Sequence, residues 1–204
     1  MTFVLASNNK DKLRELRSIL SEYGFDVISQ SDAGLAIDVE ETGQSFFDNA
    51  FLKADAAMKA TGLPAIADDS GLSVDFLDGG PGVRSRRYGG EGMSDDERNV
   101  LLLRNMEKAE QRHAKFVSSI VCVFPGGDLI SAEGTCDGSI LHVPRGTGGF
   151  GYDPVFLVAS EAKSMAELTP KEKNKVSHRG NALREFRPKL EEYLLKRGEI
   201  RAER

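Results

Sequence analysis

Residues 63–77 constrain this chain more than any other stretch. A short apolar run, Ala65-Ile66-Ala67, reads as a buried strand and ends on two adjacent carboxylates, Asp68 and Asp69, followed by Ser70 and Gly71. A second apolar run, 72–77, leaves what the composition marks as a turn. A chain that crosses a core and surfaces with two acids is suited to holding a metal ion or activating water. Neighbouring side chains on an extended segment point to opposite faces. One Asp is therefore expected to face a pocket and the other to brace the turn. Asp-Asp-Ser-Gly is equally the composition of a plain turn, so both readings stand at this point.

The chain has 204 residues, room for one large domain or one domain with a small lobe. A chain of this size buries roughly 70% of its unfolded surface and needs no disulfide or structural metal to fold. Cys122 and Cys136 lack metal-type spacing and read as small core residues of a cytoplasmic protein. No apolar run approaches the ~20 residues of a membrane span, and the first residues lack the basic start of a signal peptide. The net charge of −5 speaks against general nucleic-acid or membrane-surface binding. It leaves room for a small anionic ligand held by a local basic cluster.

Along the chain, residues 3–6 read as a first strand. Ser7-Asn8-Asn9-Lys10-Asp11-Lys12 follows, then a helix carrying Leu13, Leu16, Leu20 and Tyr23 and stopping at Gly24. A strand, a polar turn and a helix start form a natural anion site, although a plain N-cap with solvated lysines fits the same letters. Residues 26–30 predict a second strand, and 36–39 are expected to be extended. Glu40-Glu41-Thr42-Gly43 supplies a second carboxylate pair. Ser45 and Asp48 predict a helix start, with Phe47, Ala50, Phe51, Ala54 and Met58 as its core stripe and Lys53 off that stripe. Gly62 and Pro64 end it.

Residues 78–92 read as a flexible glycine-rich loop with a basic run at Arg84, Arg86 and Arg87. Ser94 and Glu97 predict the next helix, with Leu101, Leu102, Met106 and Ala109 inward. Residues 116–124 predict a strand, 125–128 a hairpin turn, 129–136 its partner and 139–143 a further strand. Residues 146–151 match G-x-G-x-x-G but run into a strand, Val155 to Val158, rather than a helix, so a dinucleotide site is rejected. The glycines are expected instead to let the loop pass close to a ligand, with Phe150 or Tyr152 as a stacking ring. Thr169, Pro170 and Glu172 open a short helix carrying Lys173 and Lys175. Residues 177–180 are expected to interrupt it before a last helix, kinked at Pro188 and lined by Leu183, Phe186, Leu190, Tyr193 and Leu194.

Acids at two turns, bases at three and one aromatic loop suit a metal-bound, phosphorylated ligand with a flat ring: a nucleotide. Five segments in order carry a resemblance. They are 7–12, 40–43, Ala67-Asp68-Asp69-Ser70-Gly71, Gly148-Gly149-Phe150-Gly151-Tyr152-Asp153-Pro154, and Glu172-Lys173-Asn174-Lys175-Val176-Ser177-His178-Arg179. With them the chain resembles the non-standard purine nucleoside triphosphate pyrophosphatases, also called inosine triphosphate pyrophosphatases. Asn8 stands where many bacterial members have Gly.

The resemblance implies an α/β fold, an elongated central mixed β-sheet flanked by helices with two lobes around an active-site cleft. It implies one such domain over residues 1–198, with 199–204 a frayed tail. It further implies Mg²⁺-dependent hydrolysis of ITP, dITP and XTP to the monophosphate and pyrophosphate by a cytoplasmic homodimer acting on a small molecule, not on nucleic acid or membrane. Ser7, Asn9 and Lys12 would grip the phosphates, helped by Lys53 and Ser70. Asp69 would be the catalytic acid–base residue and a metal neighbour, with Glu41 or Glu40 beside the ion. Phe150 would stack on the purine, and Asp153, Lys173, His178 and Arg179 would read its edge. Asn8, Lys10, Asp11, Gly151 and Tyr152 complete the expected substrate-contacting set. Rival readings are a Maf-like pyrophosphatase preferring pyrimidines or modified bases, a non-catalytic nucleotide-binding protein, and a serine hydrolase using Ser70 and His178. The last lacks the G-x-S-x-G elbow.

Overall fold

The computed structural model describes residues 2–7, 9, 10, 12–14, 17 and 26–199. Six strands form one sheet: β1 (Thr2–Leu5), β2 (Asp26–Ser29), β3 (Ala65–Val74), β4 (His113–Val123), β5 (Leu129–Ile140) and β6 (Phe156–Val158), in the order β2-β1-β3-β4-β5-β6. β1 pairs parallel with β2 (Val4 opposite Ile28) and with β3 (Leu5 opposite Ile66), while β5 and β6 are antiparallel. The sheet is therefore mixed. Four α-helices have both ends among the described residues: α1 (Phe46–Thr61), α2 (Asp95–Asn105), α3 (Pro170–Val176) and α4 (His178–Lys196). Among the described residues no helix is long and apolar enough to cross a membrane.

The chain divides into two compact units. One comprises 1–69, 119–134 and 181–204, and the other 70–118 and 135–180. In the first unit, strand alternation sorts side chains onto two faces. Phe3, Leu5, Ile66, Ile120 and Cys122 cluster with Leu183, Phe186, Leu190 and Leu194 of α4. Their neighbours Val4, Ala65, Ala67, Val121 and Val123 cluster with Ala50, Ala54 and Ala57 of α1. The alanines on both sides of that second cluster let α1 lie close against β3. In the second unit, Leu72, Val74, Leu102, Met106, Phe116, Tyr152 and Phe156 belong to one core.

Local chemistry sets the helix boundaries as expected. Ser45 and Asp48 close a capping box on α1, and Gly62 ends it in the left-handed region. Ser94 with Glu97 caps α2, and Thr169 with Glu172 caps α3. The turn after β4 closes with the Phe124 N–H donating to Asp128 O at 2.9 Å. Both cysteines are free and buried, and burial pushes the Cys136 thiol up to about 12.

Several expectations need correction. The turn at 68–71 is absent: β3 runs unbroken from Ala65 to Val74, and the chain turns later, through the 3₁₀ segment Asp75–Leu77 and the left-handed Asp78. Residues 36–39 join no strand. The loop at 78–92 contains a 3₁₀ segment, Gly82–Arg87. The two strands expected over 129–143 are the single strand β5. Gly138 sits inside it because a Cβ there would lie 2.1 Å from Leu157 O of β6, so this glycine marks a close approach rather than a break. The interruption at 177–180 shrinks to Ser177, whose Oγ accepts from the Gly180 N–H at 3.2 Å, and α4 already starts at His178 and contains Pro188. Phe47, expected in the core, is exposed and stacks on Phe51, while Asn49 is fully buried in its place. The expected first helix is described only at Lys10, residues 12–14 and Arg17, all helical. Its remaining positions, and 200–204 of the expected tail, lie outside the described residues.

Gly138→Ala is expected to cost about 1–3 kcal/mol through overpacking against β6, lowering Tm by roughly 2–12 °C. Thermal melting of the purified variant checks this, and an unchanged Tm would contradict the close approach.

Candidate active site

Alternation along β3 sends its two carboxylates to opposite faces. Asp68 shares the Ile66 face and meets Lys12 Nζ at 3.2 Å, its side chain fully buried. Asp69 shares the Ala67 face, where α1 lies. Lys53 of α1 donates to Asp69 Oδ1 at 2.9 Å and to Glu41 Oε1 at 3.1 Å. Asn49, one turn before Lys53, donates to Asp69 Oδ2 at 3.3 Å and accepts from the Gly43 N–H at 2.8 Å. The Glu40–Gly43 turn is thus tied to the helix that holds Asp69. Of the two glutamates, Glu41 is turned to Lys53 and half-buried, while Glu40 is exposed. At the end of β1 the Asn9 N–H donates to Ser7 Oγ at 3.2 Å, and Asn9 Oδ1 accepts from the Lys12 N–H at 3.1 Å. Asn9 is therefore an N-cap, but Lys12 is not a solvated lysine. Lys10 is exposed, and Asn8 and Asp11 lie outside the described residues.

Burial pushes the Asp69 carboxyl above its ordinary range, and Lys53 and Lys12 pull it back only in part. For Lys53, burial works against the ammonium, but Asp69, Glu41 and Asp68 together more than offset it. Lys53 stays charged, and Asp69 becomes a better proton acceptor than an ordinary aspartate.

The second unit carries the other expected residues. Lys173 is buried and donates to Asp153 Oδ2 at 2.8 Å, and the Phe150 N–H donates to the same oxygen at 2.9 Å. The Lys173 ammonium lies 4.7 Å from the Phe150 ring centre and the Arg179 guanidinium carbon 5.8 Å from it. Arg179, almost fully buried, donates through Nη2 to Ser70 Oγ at 3.1 Å. A guanidinium cannot take a proton from that hydroxyl, so the pair does not make Ser70 a nucleophile. His178 stacks on Phe116 with ring centres 4.7 Å apart. Tyr152 is a core residue whose OH donates to Ser85 O at 2.8 Å, which leaves Phe150 as the ring of this loop. The loop glycines make room for the protein itself: a Cβ on Gly146 would lie 2.6 Å from Ala166 C, and one on Gly149 2.0 Å from Asp153 Oδ2.

The model of the Ham1 family matches residues 3–189. The chain belongs to the Ham1 family. Its likeness to curated relatives covers nearly its whole length. The dITP/XTP pyrophosphatase of Bacillus licheniformis is 46% identical over 191 residues, 93% of this chain and 97% of that protein. The Escherichia coli K12 protein of the same name is 49% identical over 185 residues, 89% of this chain and 93% of its own. Among solved structures, a HAM1 protein from Coxiella burnetii matches with a TM-score of 0.87 at 41% identity, covering 94% of this chain and 99% of that one. The Staphylococcus aureus Ham1 protein matches at 0.86 with 40% identity, covering 95% and 100%. The resemblance carried by the five segments is borne out, and so is the α/β fold with its mixed sheet.

In this Ham1-family chain, Glu41 and Asp69 converge on a single cationic nitrogen. Two hard oxygen donors within reach of one small cation suit a divalent ion such as Mg²⁺. Mg²⁺ is held by one or two carboxylates plus substrate phosphates rather than by an all-protein cage. Among the described residues no set of three or more acidic, His or Cys side chains forms such a cage. Asn49 was not foreseen. Its signal was a polar residue on an apolar helix face, four positions before Lys53.

A carboxyl whose pKa rises on folding favours the fold when protonated and opposes it when ionised. Asp69→Asn, near-isosteric and neutral, should therefore fold and melt at or above the wild-type temperature at about pH 7, without added divalent ion. The difference should shrink as pH falls toward the ordinary carboxylate range. Calorimetry across that window checks it, and a variant melting well below wild type at neutral pH would contradict the raised pKa.

Proposed function

We infer that this chain hydrolyses non-standard purine nucleoside triphosphates, dITP, XTP and ITP, to the monophosphate and pyrophosphate. The observation that carries the mechanism is the cluster in which Lys53 is shared by Glu41 and Asp69, with Asp69 raised by burial. The substrate class follows from relatives at 46% and 49% identity named dITP/XTP pyrophosphatases.

In this mechanism a water oxygen bonds to the α-phosphorus. The bond from that phosphorus to the bridging oxygen breaks, and its electron pair leaves with pyrophosphate. Asp69 accepts the proton of the attacking water. Lys12, Lys53 and the Ser7–Asn9 turn neutralise and orient the phosphates. Glu41 and Asp69 would hold Mg²⁺, which when bound supplies charge neutralisation on the triphosphate. Lys173 and Arg179 carry the donors that suit a carbonyl at purine position 6. An adenine amino group there would leave buried donors unmet, at about 1–3 kcal/mol each. We propose further that the enzyme is a cytoplasmic homodimer.

A panel of nucleoside triphosphates, assayed with and without Mg²⁺ and with both products identified, tests this reading. Inosine and xanthine substrates should give monophosphate plus pyrophosphate and exceed ATP and UTP in kcat/KM. Diphosphate plus orthophosphate would overturn the reaction class, and preference for UTP or dTTP would favour the Maf-like alternative. Lys12→Ala is expected to raise KM for the triphosphate by roughly tenfold through loss of a charge-assisted contact. An unchanged KM would remove the first turn from phosphate binding.

A further inference from the structure

Two side chains of α2 grip the loop that carries Phe150. Asp95 Oδ2 accepts from the Gly151 N–H at 2.7 Å, and Asn99 Nδ2 donates to Gly151 O at 2.9 Å. Asp95 and Asn99 are four residues apart and so share one helix face. On the other side of Phe150, its own N–H is held by Asp153 Oδ2 at 2.9 Å. Because peptide units are planar, fixing the Phe150 N–H and the Gly151 N–H fixes both peptides that flank the Phe150 Cα. The Gly151–Tyr152 peptide is held in turn through its carbonyl. Gly151 has φ +63°, a left-handed conformation. The ring keeps only its own side-chain torsions.

Asn99 itself adds a second observation. It is 3% exposed, lies one turn from the buried, apolar Leu102 on the same helix, and among the described residues its Oδ1 accepts no hydrogen bond. A buried amide with its acceptor unused is costly. Its presence is explained if the donor half has a task.

We propose that Asp95 and Asn99 are positioning residues that set affinity and base discrimination by holding the Phe150 ring in place. This rests on the reading that Phe150 stacks on the purine. The pair touches Gly151 rather than the ring, so it acts through the backbone.

Steady-state kinetics with ITP on Asn99→Asp, Phe150→Ala and the double variant test it. Asn99→Asp keeps the shape and loses the donor to Gly151 O. It should raise KM by about fivefold, the scale of one lost hydrogen bond, with kcat within about twofold. The double variant should be no worse than Phe150→Ala alone, because the grip works only through that ring. A KM near wild type in Asn99→Asp while Phe150→Ala raises it, or losses that multiply in the double variant, would overturn the proposal. An unchanged KM in Phe150→Ala would instead bring down the stacking reading and the grip with it. Should Asn99→Asp fail to fold, Asp95→Ala and Asp95→Asn replace it. Ala should raise KM, and Asn, which keeps an acceptor for the Gly151 N–H, should restore most of the loss. Equal KM in the two would overturn the proposal.

Discussion

The first unit depends on the compensation of two buried carboxylates on β3. An ionised carboxylate taken out of water is costly unless it is paired and hydrogen-bonded. Strand alternation separates Asp68 from Asp69, so each meets a different lysine: Lys12 from the helical residues that follow β1, Lys53 from α1. The separation matters because like charges on one face would destabilise each other. The compensation is unequal by location. For Asp69 burial still outweighs the nearby lysines, and its proton affinity stays high. A carboxylate kept slightly uncomfortable in this way is suited to accept a proton, and stability is given up locally for that property.

Packing makes the arrangement possible. The face of β3 that carries Asp69 is lined by Ala65 and Ala67, and α1 presents Ala50, Ala54 and Ala57 to it. Small side chains at the contact bring the helix close enough for Asn49 and Lys53 to reach a carboxylate whose own side chain is short. Larger residues there would move α1 outward and break the 2.9 Å contact between Lys53 and Asp69. Asn49 also reaches back to the Gly43 N–H, where a Cβ would lie 2.6 Å from Asn49 Oδ1. One buried amide therefore fixes an acid-bearing turn and orients the strand's carboxylate.

How much of this was legible follows from how local each signal is. The caps at Ser45, Ser94 and Thr169 were readable because donor and acceptor lie three residues apart. Residues 68–71 were misread as a turn because Asp, Ser and Gly favour turns when solvated. Their burial depends on lysines 56 and 16 positions away, as the separations of Lys12 from Asp68 and Lys53 from Asp69 show. No local rule contains those partners. The gap expected between 136 and 139 has a similar cause: the neighbour of Gly138, Leu157 O, belongs to another strand. Family resemblance named most of the site residues, but not Asn49, which orients the Asp69 carboxylate and holds the Gly43 N–H, nor Asp95 and Asn99, which act on backbone.

The glycines at 146–151 show the same limit in a sharper form. Their letters match a phosphate-binding loop, but a 3₁₀ turn and then β6 follow them rather than an α-helix, as the sequence indicated. Within the protein itself three of them have a structural cause the letters did not show. Gly146 and Gly148 face the backbone of Ala166, with a Cβ on Gly148 2.8 Å from Ala166 O, and Gly149 faces Asp153. Each is small so that the loop can fold against its own unit and hand Asp153 to both Lys173 and the Phe150 N–H. A glycine states that something comes close. Whether that is a phosphate or another part of the chain is decided by what the following residues build, and here they build a 3₁₀ turn, Asp153–Val155, whose first carboxylate fastens the loop.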